Sequence, residues 1–146
     1  MAKIYEKTLF VRTGMVFMQT MIRLGVGGKG MYVLSVTDAE SGGVRSNPVT
    51  LVESEEGRWL VAPYGVTRWV RNARAAGWVE LRRGRRRERL RIAELGPVEA
   101  APVLREYVQR VSMVRPYFDV DADAPVEAFE AEVPRHPVFQ LVGPAP

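Results

Sequence analysis

Apolar residues recur along this chain with two different periods. Over roughly Ala2 to Leu24 the spacing is helical, with Phe10, Phe17, Met21 and Leu24 on one stripe and Arg12, Gln19 and Arg23 on another, which predicts an amphipathic helix. Gly25-Val26-Gly27-Gly28-Lys29-Gly30 stops it, because glycine loses the most entropy in a helix. From there the period is mostly two. Met31 to Thr37 and Val44 to Val52 read as a hairpin across the Asp38 to Gly43 turn, and Arg58 to Ala62 as a third strand after the acidic turn Glu53 to Gly57. A short helix follows from Arg68 to Ala76, capped by Gly77. Trp78 to Arg82 and Arg87 to Leu95 form a second hairpin around Gly84. A longer helix is predicted from Pro97 or Pro102 to Val111, with Pro102 either resetting its start or kinking it. The stretch Pro116 to Asp123 reads as loop, Val126 to Val133 as a short helix, and Val138 to Val142 as a last strand.

About six strands with few helices do not build a parallel βαβ sheet. The expected fold is α+β and mainly β: a small closed or half-open antiparallel barrel in one domain, with a helix over 1–24 and a core over 30–142.

At 146 residues, 47% hydrophobic and 26% charged, the chain is long enough for a real core and is not disordered in composition. It has no cysteine and one histidine, His136, which excludes disulfides and thiolate chemistry and leaves no His or Cys set for a metal. The N-terminal apolar run is interrupted by polar residues and too short to span a bilayer, so a cytoplasmic protein is expected. A formal charge of +4 favours anionic partners without choosing among nucleic acid, lipid and a phosphorylated cofactor.

Several segments are candidates for chemistry. Gly25 to Gly30 fits a dinucleotide-binding pattern by letter, but helix precedes it and strand follows, so the helix N-terminus that would hold a pyrophosphate is missing. Arg82, Arg83, Arg85, Arg86 and Arg87 crowd one hairpin tip, without the interleaved aromatics of a single-strand nucleic-acid platform; nucleic acid is therefore disfavoured. His136 is read as structural, since no carboxylate partner maps to it. Strongest is the run Val61-Ala62-Pro63-Tyr64-Gly65-Val66-Thr67-Arg68-Trp69-Val70-Arg71-Asn72, where an apolar strand breaks at Pro63 and Gly65 and an arginine-bearing helix begins at once.

With Ser41-Gly42-Gly43-Val44-Arg45-Ser46-Asn47-Pro48 before it and Pro134-Arg135-His136-Pro137-Val138-Phe139 after it, that run resembles the small actinobacterial nitroreductases and quinone reductases that use the deazaflavin coenzyme F-420. The resemblance implies a split β-barrel of the FMN-binding type and hydride transfer from the reduced deazaflavin to a hydrophobic electrophile: a quinone, an enone or a nitro compound. It places Arg45, Arg68 and Arg71 at the cofactor's phosphate and acidic tail, and Asn47, Pro48, Pro63, Tyr64, Gly65 and Val66 along its ring. Trp69 and Asn72 match a Trp-Tyr-x-Asn pattern with Val70 in place of the tyrosine. Tyr117, in Arg115-Pro116-Tyr117-Phe118, would face the substrate as the catalytic-site tyrosine. One departure stands out: Asp38-Ala39-Glu40 occupies the turn where the family has arginine and lysine, which predicts repulsion of an anionic tail. The alternatives left open are FMN in the same fold, or a non-catalytic basic module on membrane or RNA. Peripheral contact with the inner face of the membrane through the N-terminal helix is a further expectation, as is a monomer or homodimer.

Overall fold

A computed structural model of the protein describes residues 30–146. The helix expected over 1–24, with its apolar stripe, lies outside the described residues. Six strands close into an antiparallel barrel: β1 (Met31–Thr37), β2 (Val44–Ser54), β3 (Gly57–Val61), β4 (Trp78–Arg83), β5 (Arg86–Glu94) and β6 (Val138–Pro144), in the order β1-β2-β3-β6-β5-β4. The expected barrel is thus the observed one. Helix α1 (Arg68–Ala76) follows β3, and helix α2 (Pro97–Arg110) follows β5.

Strand alternation divides the apolar residues into two cores. Tyr32, Leu34, Val49, Leu51, Leu60, Val79, Leu81 and Phe139 point into the barrel, where Trp69, Val70 and Ala73 of α1 join them. The opposite parity of β2, β3 and β6, at Val52, Val61 and Val138, faces outward and packs under α2 around Leu104, Tyr107 and Phe129. Gly77 ends α1 in the left-handed region at φ 79°, and its N–H bonds the Ala73 carbonyl at 2.8 Å.

Pro102 neither resets nor ends α2, which runs through it from Pro97. Pro102 offers no N–H to the Val98 carbonyl, and Val98 is 71% exposed in the first turn, where solvent can take the group. Downstream, the stretch read as loop contains a 3-10 helix over Ser112–Tyr117, and the expected short helix is a longer 3-10 run over Val126–Arg135. Both carry an internal proline, Pro116 and Pro134, which removes an α-helical donor and leaves the tighter turn.

Candidate active site at the split in the barrel

The barrel is closed but not evenly sewn. Strand β2 pairs with β1 along Val44–Thr50, yet with β3 only along Leu51–Ser54. Past Val61 the chain turns away from β2, and the Ala62 N–H bonds the Pro137 carbonyl at 2.9 Å. Residues Val44–Thr50 therefore keep one edge without a strand partner among the described residues. Pro48 sits on this half, where a proline's missing N–H costs least. Beyond β3 the chain runs through Pro63, Tyr64, Gly65 and Val66 into α1. Gly65 has φ 92°, a conformation that disfavours any side chain. Arg45, Asn47 and Pro48 lie on this stretch of β2, and Pro63 to Val66 form the loop between β3 and α1.

Helix α1 starts at the mouth of the split with Thr67 as its N-cap residue. The Thr67 hydroxyl makes no cap bond; it is buried and has no hydrogen-bond partner among the described residues. An orphaned hydroxyl costs about 1–3 kcal/mol, so this one awaits an acceptor or donor from outside the fold. The first N–H groups of α1 and the positive end of its dipole lie next to it. Arg71 is exposed and bonds the Val66 carbonyl at 3.1 Å, and Arg45 is exposed with no ion pair among the described residues. This donor set suits a phosphate, and the glycine-relaxed loop and open strand edge suit a flat ring; the residues present fit the deazaflavin.

The acidic turn corrects the expectation of a repulsive surface patch. Asp38 is 1% exposed. Its carboxylate accepts Arg68 Nε and Nη2 at 2.9 Å each, Asn72 Nδ2 at 3.0 Å and the Ser41 hydroxyl at 2.7 Å. The Arg68 guanidinium foremost holds that carboxyl far below the usual carboxylate range. Asn72 also accepts the Ala39 N–H at 3.0 Å. The structure therefore places Arg68 and Asn72 as clamps that fasten the β1–β2 turn to α1, with the Arg68 fork closed on Asp38 and reaching Glu40 at 3.4 Å. Only Glu40, its side chain 87% exposed, still presents a negative charge. Trp69 is 8% exposed and tilts against Phe139 inside the barrel, so it is core.

Across the loop, Tyr117 meets Tyr64 edge to face with ring centroids 4.9 Å apart. Behind them, His136 stacks on Phe118 at 3.8 Å and is 4% exposed. Glu132, 2% exposed, accepts the Asp119 N–H at 3.0 Å, binds Arg135, and lies 3.8 Å from His136 Nε2. Burial pushes the His136 pKa below its ordinary value, against the opposing pull of the Glu132 carboxylate and, more weakly, of the Pro63 and Tyr117 carbonyls, which close no hydrogen bond with the ring. The fold thus disfavours the protonated imidazole relative to the unfolded chain, where it titrates near 6.5. The unfolded state binds the extra proton, so stability is full above about pH 6.5 and falls as pH drops through that value toward the folded pKa. Urea denaturation at pH 7.5 and 5.5 should show this loss, and His136→Phe, which keeps the stack, should flatten it. Thr67 and Glu132 escaped the sequence reading; the Glu132, Arg135 and His136 spacing of three and four was the available signal for the latter.

Among the described residues no cluster of metal ligands occurs and no helix is long and apolar enough to cross a membrane. Solved structures share the fold. A protein of unknown function from Agrobacterium tumefaciens superposes with a TM-score of 0.58 at 15% identity over 99% of this chain, which spans 60% of that protein's length. The heme storage protein HutZ of Vibrio cholerae gives 0.56 at 12% identity, covering 81% of this chain and 83% of that one. An F420-H2 dependent reductase (FDR-A) gives 0.51 at 22% identity, covering 78% and 95%. No curated protein matches. A family profile matches residues 11–125, most of the chain. The chain accordingly belongs to the family described as F420H(2)-dependent quinone reductase.

Proposed function

We propose that the split between the free edge of β2 and the Pro63 to Val66 loop is the deazaflavin slot, and that a quinone or a similar hydrophobic electrophile is reduced beside Tyr117. The observation that carries this is the Thr67 hydroxyl, orphaned at the head of α1 beside that loop. When bound, the reduced deazaflavin supplies the hydride. The chain's own work is positional. Asn47, Pro48, Pro63, Tyr64, Gly65 and Val66 line the ring; Thr67, the α1 N-terminus, Arg45 and Arg71 hold the phosphate. Arg68, Asn72 and Asp38 act one step back, by fixing the turn that Arg45 follows. Tyr64 and Tyr117 wall the substrate side and exclude water. The Glu132 and His136 cluster backs that wall through Phe118 and Asp119.

Thr67→Val tests the slot. It removes a hydroxyl that bonds nothing among the described residues, so the variant should be at least as stable in thermal melts. Its affinity for the deazaflavin, followed by fluorescence, should nevertheless fall by about 1.5–3 kcal/mol, the range for a hydrogen bond to a charged group. Unchanged affinity would move the phosphate elsewhere.

A further inference from the structure

A second concave surface lies outside the barrel wall, on the face of β1, β2, β4 and β5. It is a groove of about 350 Å³ bordered by Ser35, Ser46, Trp78, Arg82, Arg87 and Arg89, with Glu80 in its floor. Its register is unusual. Arg82 stands directly opposite Arg87, and the adjacent pair is Arg83 opposite Arg86. Like charges directly across a ladder are destabilising. Glu80 offsets part of this by taking Arg87 Nε at 3.2 Å and Arg89 Nε at 3.5 Å, but three guanidinium groups face one carboxylate. Arg87 and Arg89 stay 58% and 54% exposed, and Arg82 donates its Nε to the Gly84 carbonyl at 3.3 Å with no ion pair among the described residues. Trp78 holds Arg89 against its ring at 5.0 Å, fixing that cation at the rim. The Ser35 and Ser46 hydroxyls, 2.8 Å apart, add polar atoms at the opposite wall.

We propose that this groove is an anion-binding site, separate from the slot, for a flexible molecule carrying several carboxylate or phosphate groups. Excess positive charge within a concave wall concentrates such anions, and an arriving anion offsets the charge that Glu80 leaves unbalanced. The groove shares strand β2 with the slot, since Ser46 lies between Arg45 and Asn47. Two sources therefore fit the chemistry: the acidic tail of the cofactor itself, or a free polyanion.

The test compares the unmodified protein with Arg82→Gln/Arg87→Gln, which removes the opposed pair but keeps the Arg89 contacts with Glu80 and Trp78. Arg85→Gln/Arg86→Gln is the control, since it removes equal charge at the hairpin tip. At low ionic strength, tripolyphosphate should raise the melting temperature of the unmodified protein and of the control. The groove variant should lose that protection while melting no lower than the unmodified protein without ligand. If the tail is the natural occupant, the groove variant should also bind the tailed cofactor about tenfold more weakly and the bare deazaflavin chromophore equally well. Loss confined to tripolyphosphate would assign the groove to a free anion. Equal protection of groove variant and unmodified protein, or equal loss in the control, would overturn the proposal. Failure of every form to bind the cofactor would instead count against the slot and leave this test readable through tripolyphosphate.

Discussion

Phe129→Ala is expected to destabilise the protein by about 3–5 kcal/mol, the largest effect of any single change considered. Phe129 has no exposed surface and lies in the core between the outward parity of β2, β3 and β6 and the inner face of α2. Truncation there removes an aromatic ring and leaves a cavity that strands and helix cannot both move to fill. The consequence reaches the site, because the same core seats Phe118 and Val133, which flank Tyr117 and His136 in sequence and space. Urea denaturation should show a lowered midpoint with an unchanged slope. Phe129→Leu, which refills most of the volume, should recover the greater part. A loss below about 1 kcal/mol for the alanine variant would mean that the second core is not the support described.

Arg45→Ala is expected to weaken deazaflavin binding by about 1.5–3 kcal/mol, or roughly 10- to 150-fold in Kd. Arg45 is exposed at the start of β2, beside the free edge. Glu40→Lys should act in the opposite direction, since that side chain is 87% exposed and its 3.4 Å contact with Arg68 is the weakest in the turn. Asp38 does not belong with Glu40 in this respect. Reversing a carboxylate that holds Arg68, Asn72 and Ser41 together should disrupt the turn, lowering melting temperature and affinity together. Fluorescence titration and thermal melts on the three variants separate a charge effect from a structural one. Neutral results at both Arg45 and Glu40 would place the anionic end of the cofactor away from this strand.

The contrast between Asp38 and Glu40 shows where sequence reading stops. Strand β1 was legible to the residue as Met31–Thr37, and α1 as Arg68–Ala76 with its Gly77 cap, because local alternation, helical spacing and a left-handed glycine decide such elements. Pro63 and Gly65 marked the end of the third strand, whereas the split itself came from the family resemblance, since the residues alone left the barrel closed or half-open. The partners of charged side chains were not. Asp38 and Arg68 are thirty positions apart, and nothing local says that a turn carboxylate folds inward rather than outward. The same gap hid Thr67, whose hydroxyl looks like an ordinary helix cap in sequence and turns out to cap nothing. Pairing across the barrel also set the groove, since the opposition of Arg82 and Arg87 depends on a register that a five-arginine run does not disclose.

The central claim, a deazaflavin-dependent reductase whose cofactor sits in the split, is tested most directly by mixing the unmodified protein and Thr67→Val anaerobically with reduced coenzyme F-420 and a soluble quinone. Formation of the oxidised cofactor is followed by its absorbance. The account predicts oxidation well above the protein-free rate, saturable at micromolar cofactor, with Thr67→Val folded and needing at least tenfold more cofactor to saturate. Oxidation at the protein-free rate by a folded, unmodified protein would contradict it.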